Sequence, residues 1–159
     1  MKYKVLIKEY KNSDKAEVVN LLKLNAPTYF SLEEEKDLIY YLDNEIEKYY
    51  VIEVGNQIIG SGGINFENDK TTGIISWDIL HPEFQKKGFG TLLLKYRIWV
   101  LNSIETIKTI TVRTTQLTHE FYQKNRFELK EVKKDYWAAG FDLYKMEYKK
   151  LARSIHDQI

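Results

Sequence analysis

The sequence of 159 residues contains no cysteine, only two prolines and no long apolar run. The absence of cysteine excludes disulfide bonds and thiol chemistry, and it is typical of a reducing compartment. No stretch approaches the length of a membrane-spanning helix, and no signal peptide begins the chain. Strong charge of either sign is lacking too, because the formal net charge is +1. We therefore expect a cytoplasmic protein that binds neither nucleic acid nor a membrane surface.

The composition is that of an ordinary globular protein, with 43% hydrophobic and 30% charged residues. A chain of this length can bury a sizeable core. We expect a single domain over residues 1–159, with its core in residues 3–149 and a polar tail in residues 150–159.

Apolar periodicity predicts the element order β, α, α, β, β, β, α, β, α, β, β. The predicted strands are residues 3–10, 49–54, 57–65, 74–80, 109–114, 127–133 and 141–148. Capping residues at 12–14 and 31–34 begin the first two helices. This order predicts a mixed α/β fold.

A glycine-containing turn, Gln85 to Gly90, lies between the central strand and the helix after it. Glycine lets the backbone approach a ligand closely, and the first N–H groups of a helix have no internal partner. Lys86 and Lys87 add positive charge, so the turn is a candidate anion site. An ordinary turn with two glycines is the alternative. The pattern is neither Gly-x-Gly-x-x-Gly nor a phosphate loop ending in Gly-Lys-Ser/Thr.

The turn Gln85-x-x-Gly88-x-Gly90 resembles the acetyl-CoA signature of the GNAT family of N-acetyltransferases. A second segment, residues 121–127 (Phe-Tyr-Gln-Lys-Asn-Arg-Phe), is similar to that family's Phe-Tyr-x-x-x-Gly-Phe. The resemblance covers roughly residues 49–149 and implies a mostly antiparallel central sheet flanked by helices. Arg126 stands where the family has glycine. A positive φ there carries a steric cost, unless Asn125 takes the left-handed conformation instead.

The resemblance implies transfer of an acetyl group from acetyl-CoA to a primary amine through a tetrahedral intermediate, with no metal. The pyrophosphate would bind the backbone N–H groups of residues 85–90. The central strand would splay from its neighbour and hold the pantetheine, with the Leu80 N–H facing the thioester oxygen. The acetyl-CoA residues implied are Ile79, Leu80, His81, Gln85, Lys86, Lys87, Gly88, Phe89, Gly90 and Thr91.

Two catalytic residues are candidates, Tyr122 and Asp78. The resemblance places Tyr122 beside the sulfur as general acid or hydrogen-bond donor to the thiolate, whereas the residues alone favour a core aromatic. Strand alternation puts Ser76, Asp78 and Leu80 on one face, which makes Asp78 the first candidate for removing the amine proton. A partnered structural carboxylate is the alternative for Asp78. His119 and then Glu53 are weaker candidate bases.

The acceptor is the least determined partner, either a small-molecule or a peptide amine. In the family, the first two helices and the last hairpin wall the acceptor cleft. The aromatic residues of these elements are Tyr29, Phe30, Tyr40, Tyr41, Tyr136 and Trp137. They either line a cleft that suits a cation or belong to the core. The oligomeric state stays open, a homodimer included.

Two other functions stay open. One is a CoA-binding or sensor module of the same fold without turnover. The other is a nucleotide-binding protein that shares only the glycine turn.

Overall fold

The computed structural model describes residues 4–150. Within them lie seven strands and four α-helices in the predicted order. The strands are β1 (Val5–Glu9), β2 (Lys48–Val54), β3 (Gln57–Phe66), β4 (Thr72–Leu80), β5 (Thr109–Thr114), β6 (Phe127–Ala138) and β7 (Phe141–Tyr148). The helices are α1 (Lys15–Leu24), α2 (Glu34–Asn44), α3 (Phe89–Asn102) and α4 (His119–Lys124). Residue 3 of the predicted first strand, and all of the predicted tail 150–159 but its first residue, lie outside the described residues.

The strands of the described region form one sheet in the order β1-β2-β3-β4-β5-β7-β6. Every neighbouring pair is antiparallel except β4 and β5, which are parallel. A parallel pair needs a crossover connection, and α3 supplies it. The prediction of a mixed α/β fold, with a mostly antiparallel sheet flanked by helices, is therefore confirmed.

Helices pack on both faces of the sheet, because successive strand residues point to opposite faces. The cluster around α3 and α4 includes Ile52, Ile64, Leu94, Ile98, Leu101, Ile110 and Phe127. The cluster around α1 and α2 includes Val18, Leu22, Leu38, Val51, Ile58 and Ile79. None of the helices in residues 4–150 combines the length and hydropathy that a membrane span requires.

A β-bulge interrupts β4 at Trp77, whose φ of 49° lies in the left-handed region. The register against β3 shifts here, so that two residues of β4 oppose Gly62 alone. Ile75 before the bulge and Asp78 after it both face α3. Ser76 therefore faces α2, on the other side of the sheet. The prediction that Ser76 shares a face with Asp78 is wrong, because the bulge moves the alternation by one residue.

In the turn between α4 and β6, the left-handed conformation belongs to the residue that replaces the family's glycine. Arg126 itself has a left-handed φ of 74°, whereas Asn125 has a φ of −102°. The Arg126 guanidinium donates hydrogen bonds to the Lys149 carbonyl at 3.2 and 3.3 Å. The strained residue is thus Arg126.

Candidate active site

The parallel strands β4 and β5 separate before β4 ends. Their pairing stops at Ile75 and Val112, although β4 continues to Leu80. Successive backbone groups of a strand point to opposite edges. The His81 N–H donates to the Ile59 carbonyl of β3 at 2.7 Å, so the backbone of Leu80 points away from β3. A gap thus opens between the strands, and the Leu80 N–H faces it.

Of the predicted pantetheine-binding residues 79–81, Leu80 directs its N–H group into this gap. By the same alternation, the backbone groups of Ile79 and the N–H of His81 face β3. The Leu80 carbonyl accepts hydrogen bonds from Asn25 Nδ2 at 2.9 Å and from Gln85 Nε2 at 3.1 Å. On the side that faces the gap, the end of β4 is therefore held by side chains rather than by β5, while its other side stays paired with β3.

Asn25, which sequence analysis missed, connects α1 with the strand exit and with the turn. It is 3% exposed, and its Oδ1 accepts a hydrogen bond from Gln85 Nε2 at 3.0 Å. Its Nδ2 also donates to the Leu21 carbonyl at 2.8 Å. In the sequence, an asparagine after a helix is an ordinary C-cap, so no signal marked it. Gln85 serves this network with its side chain, and its N–H donates to the Pro82 carbonyl at 3.5 Å.

The six backbone N–H groups of residues 86–91 donate no hydrogen bond within the described residues 4–150. The first bond of α3 runs from the Leu92 N–H to the Gly88 carbonyl at 3.0 Å. Gly88 has a φ of 91°, and a Cβ there would meet nothing within 4 Å. Two of these residues, Lys86 and Lys87, have exposed side chains that add positive charge. We call residues 86–91 the cradle, and it can bind an anion through backbone donors and the helix dipole.

Asp78 lies between two partners that belong to different helices. Arg97 of α3 places Nη2 2.5 Å from Asp78 Oδ1. The Tyr122 hydroxyl of α4 donates a hydrogen bond to Asp78 Oδ2. The structure thus brings the two predicted catalytic residues together, and it adds an arginine that sequence analysis missed. We call Asp78, Arg97 and Tyr122 the buried cluster, in which Arg97 and Tyr122 are buried and the Asp78 side chain is 21% exposed.

Arg97 is buried with 1% exposure, and two further donors of its guanidinium bind backbone carbonyls. Its Nη1 donates to the Gly63 carbonyl at 3.1 Å, and its Nε donates to the Leu93 carbonyl at 3.2 Å. A Cβ on Gly62 would stand 2.7 Å from Nη1, so only glycine permits this approach. The sequence did hold a signal, because Arg97 falls at helical spacing among the apolar residues that face the core.

The Tyr122 phenol is 4% exposed and packs against Phe121 and Phe127, with ring centroids 5.0 and 5.6 Å apart. Burial raises the pKa of Tyr122 well above its ordinary value, and the negative charge and hydrogen bond of Asp78 raise that pKa further. The hydroxyl therefore stays protonated near neutral pH.

The weaker candidate bases contact residues outside the buried cluster. His119 places Nδ1 3.0 Å from the Gln116 carbonyl oxygen, and its ring lies 4.8 Å from that of Tyr144. Glu53 forms an ion pair with Lys8 at 2.7 Å. Residues 4–150 contain no group of three side chains suited to hold a metal ion.

The aromatic residues expected around the acceptor fall into two groups. Near β4, Phe30 stacks on Trp77 at 6.3 Å, and Tyr41 is buried with its hydroxyl donating to Asn65 Oδ1 at 2.5 Å. Tyr29 is half-buried and Tyr40 is exposed. On β6, which continues past its predicted end at residue 133, Tyr136 and Trp137 lie over the Arg113 guanidinium at 5.1 and 5.5 Å. Tyr41 is thus a core residue, while the others remain accessible in part.

The separated strands, the free N–H groups that begin α3 and the mixed sheet are the features expected of an acyltransferase. A sequence model described as the acetyltransferase (GNAT) family matches residues 18–127, which is more than half of the chain. The protein belongs to this family, as the two motifs predicted. A search of curated proteins by sequence finds no match.

Solved structures share the fold at low sequence identity. The ribosomal-protein-S18-alanine N-acetyltransferase from Escherichia coli has a TM-score of 0.76 and 13% identity, covering 96% of this chain and 97% of that one. An aminoglycoside 6'-N-acetyltransferase complexed with coenzyme A has a TM-score of 0.74 and 16% identity, covering 94% and 99%. An acetyl transferase from Salmonella typhimurium that modifies the N-terminal serine of ribosomal protein L7/L12 has a TM-score of 0.68 and 17% identity, covering 92% and 95%.

Proposed function

We propose that the protein transfers an acetyl group from acetyl-CoA to a primary amine by direct attack through a tetrahedral intermediate. The observation that carries this proposal is the gap between β4 and β5, with the cradle at the start of α3 on the connection that follows β4. Backbone donors with no internal partner suit the pyrophosphate, because their dipoles are fixed before the anion arrives. The family and its CoA-complexed structural relative support the same substrate.

The Leu80 N–H is the donor that we assign to the thioester oxygen. Negative charge develops on that oxygen during attack, so an N–H aimed at it stabilises the transition state more than the ground state. A donor of this kind contributes about 3–4 kcal/mol in other acyl transfers. The hydrogen bonds from Asn25 and Gln85 to the Leu80 carbonyl fix the orientation of this residue.

The acceptor class is tested most directly with a panel of amines and mass spectrometry. By their names, the structural relatives act on an alanine of ribosomal protein S18, on the N-terminal serine of ribosomal protein L7/L12 and on aminoglycosides. The panel therefore contains peptides that begin with alanine or serine, a peptide with an internal lysine, kanamycin and spermidine. We expect one class to gain a single acetyl group while CoA is released. Binding of acetyl-CoA without acetylation of any amine would contradict the proposal.

A CoA-binding or sensor module without turnover is the second candidate. The observation in its favour is that both carboxylate oxygens of Asp78, the first candidate base, already contact Arg97 and Tyr122. Consumption of the thioester in the presence of the amine panel separates the two functions. In either case acetyl-CoA should raise the melting temperature, whereas ATP and NAD should not. A shift with ATP or NAD alone would favour a nucleotide-binding protein.

A further inference from the structure

Proton transfer in the proposed reaction can be assigned to the buried cluster. We infer that Tyr122 and Asp78 form a two-way proton relay, which takes the proton that the acceptor nitrogen loses during attack and returns it to the departing sulfur. Arg97 is a positioning residue that holds Asp78 in place. This inference rests on the proposed acetyl transfer, and it names the route of the proton in that reaction.

The hydrogen bond between Tyr122 and Asp78 has a fixed direction. An ionised carboxylate has no proton to donate, so the phenol is the donor to Asp78 Oδ2. The single phenol proton is thereby committed to Asp78, while the lone pairs of the phenol oxygen can accept. Tyr122 cannot donate to a sulfur from this state without leaving Oδ2. The resting cluster therefore accepts a proton first.

The two steps balance in atoms and charge. As the nitrogen of a neutral amine bonds to the acetyl carbon, its proton moves to the Tyr122 oxygen and the phenol proton moves to Asp78 Oδ2. As the C–S bond breaks, the proton on Asp78 returns to the phenol oxygen and a phenol proton moves to the sulfur. Amine and thioester become amide and thiol, and both residues end as they began. No other reactant is required.

For the second step, the return of the proton to the sulfur, ordinary acidities favour a carboxylic acid over a phenol that acts alone. A carboxylic acid has a pKa of about 4, a thiol about 8.5 and a phenol about 10. A proton on the carboxylate therefore passes readily to a thiolate, whereas a phenol is a weaker acid than the thiol it would protonate. Because the pKa of Tyr122 is raised, a phenolate does not accumulate and the two protons move together. The first proton of an alkylammonium, with a pKa of about 10.4, leaves to water before attack.

Arg97 determines which oxygen of Asp78 serves the relay. Its Nη2 lies 2.5 Å from Oδ1, and its Nη1 and Nε donate to backbone carbonyls of β3 and α3. With 1% exposure, the guanidinium has no solvent to turn towards. The missing side chain of Gly62 leaves room for this ion pair. Oδ2 is consequently the oxygen presented to Tyr122.

Solvent isotope effects test the relay without changing Asp78. The rate constant of the parent protein is measured in single turnovers with acetyl-CoA and the panel amine that reacts fastest, in mixtures of H2O and D2O. A plot of this rate constant against the fraction of D2O should be curved, because two protons move in one step. Tyr122→Phe should lower this rate about 10²-fold and abolish the curvature. Tyr50→Phe is the matched control, since Tyr50 is also 4% exposed, and it should keep both rate and curvature. A linear dependence in the parent would overturn the relay.

A double-mutant cycle gives an independent test. If Asp78 acts through Tyr122, the variant with both Asp78→Asn and Tyr122→Phe should be within about threefold of the slower single variant. Losses that multiply to about 10⁴ would overturn the relay, because they mean independent roles. Calorimetry with acetyl-CoA checks that each variant is folded. If Asp78→Asn does not fold, the isotope experiment decides.

The failure of the relay is distinguishable from the failure of the proposed function. Acetylation of a panel amine, with a linear isotope dependence in the parent, removes the relay and leaves the acetyl transfer intact. A protein that binds acetyl-CoA and acetylates no amine of the panel removes both.

Discussion

The cradle and the buried cluster, the two parts of the candidate site, are built from different chemical groups. The cradle consists of backbone N–H groups at the start of α3, and two of its residues are exposed lysines. The buried cluster consists of three side chains, of which Arg97 is almost wholly inaccessible. Nearly every residue type supplies the same backbone N–H, so the cradle depends on conformation. The buried cluster depends on the identity of each residue, because Asp78 compensates the charge of a guanidinium that is removed from water.

The largest effect is expected for loss of the negative charge in the buried cluster. Asp78→Asn leaves the buried guanidinium of Arg97 without a counter-charge, which should lower the free energy of unfolding by about 3–5 kcal/mol. Urea denaturation measures this loss. Adding Arg97→Met, which removes the charge and keeps an apolar side chain of similar length, should restore most of the stability.

The matched control is Asp43→Asn, since Asp43 forms an ion pair with Lys15 at 2.8 Å on the surface. Screening by water limits that pair to less than about 1 kcal/mol. Equal denaturation midpoints for Asp78→Asn and Asp43→Asn would mean that the burial of the cluster has no energetic consequence.

The cradle should respond to a change of backbone conformation. Gly88 has a φ of 91°, which a β-branched residue rarely adopts, so Gly88→Val should displace the N–H groups. We expect acetyl-CoA to bind at least about tenfold more weakly, a loss of 1.4 kcal/mol or more. Isothermal titration calorimetry measures the affinity.

Gly140 offers a matched control for this substitution, because its φ is 82° and a Cβ there would also meet nothing within 4 Å. Gly140→Val should strain the backbone by about 1–3 kcal/mol, as Gly88→Val should, but it should leave the affinity for acetyl-CoA unchanged. If Gly88→Val binds acetyl-CoA as the parent does, the pyrophosphate binds elsewhere.

The buried cluster should also give stability a pH dependence that the cradle cannot. The pKa of Tyr122 is raised in the folded protein, so below about pH 10 both states hold its proton and its contribution is complete. Above that pH the unfolded chain releases the proton first, and stability falls as pH rises, by up to about 1.4 kcal/mol per pH unit. Tyr122→Phe should make this fall less steep in urea titrations between about pH 9 and pH 11.

Part of the slope should survive in Tyr122→Phe, because burial also raises the pKa values of Tyr41 and Tyr49. An unchanged slope would show that the Tyr122 phenol ionises as readily in the folded protein as in the unfolded chain.

The smallest effects are expected for the lysines of the cradle. Lys86→Ala or Lys87→Ala should weaken acetyl-CoA binding by about 1 kcal/mol or less, because water and salt screen exposed charges. The loss should shrink further as ionic strength rises. A loss larger than that of Gly88→Val would reverse the comparison, since side-chain charge would then outweigh backbone conformation.

Much of the fold could be predicted because its signals are local. Apolar spacing in residues 89–101 predicts a helix, and the β-branched run of residues 109–114 predicts a strand, without knowledge of the rest of the chain. The cradle was predictable for the same reason, since free N–H groups follow from the start of any helix. The bulge at Trp77 was not, because it depends on the register against β3.

The sequence by itself determined the order of the elements, the position of the glycine turn and the family. It also identified Tyr122 and Asp78 separately, with the role of each left open. Only the tertiary structure decided that these two residues touch, that the buried Arg97 joins them, and that Asn25 holds the end of β4. The physical reason is distance along the chain. Tyr122 lies 44 residues from Asp78 and Asn25 lies 55 from Leu80, so packing of helices on the sheet, rather than local conformation, brings each pair together.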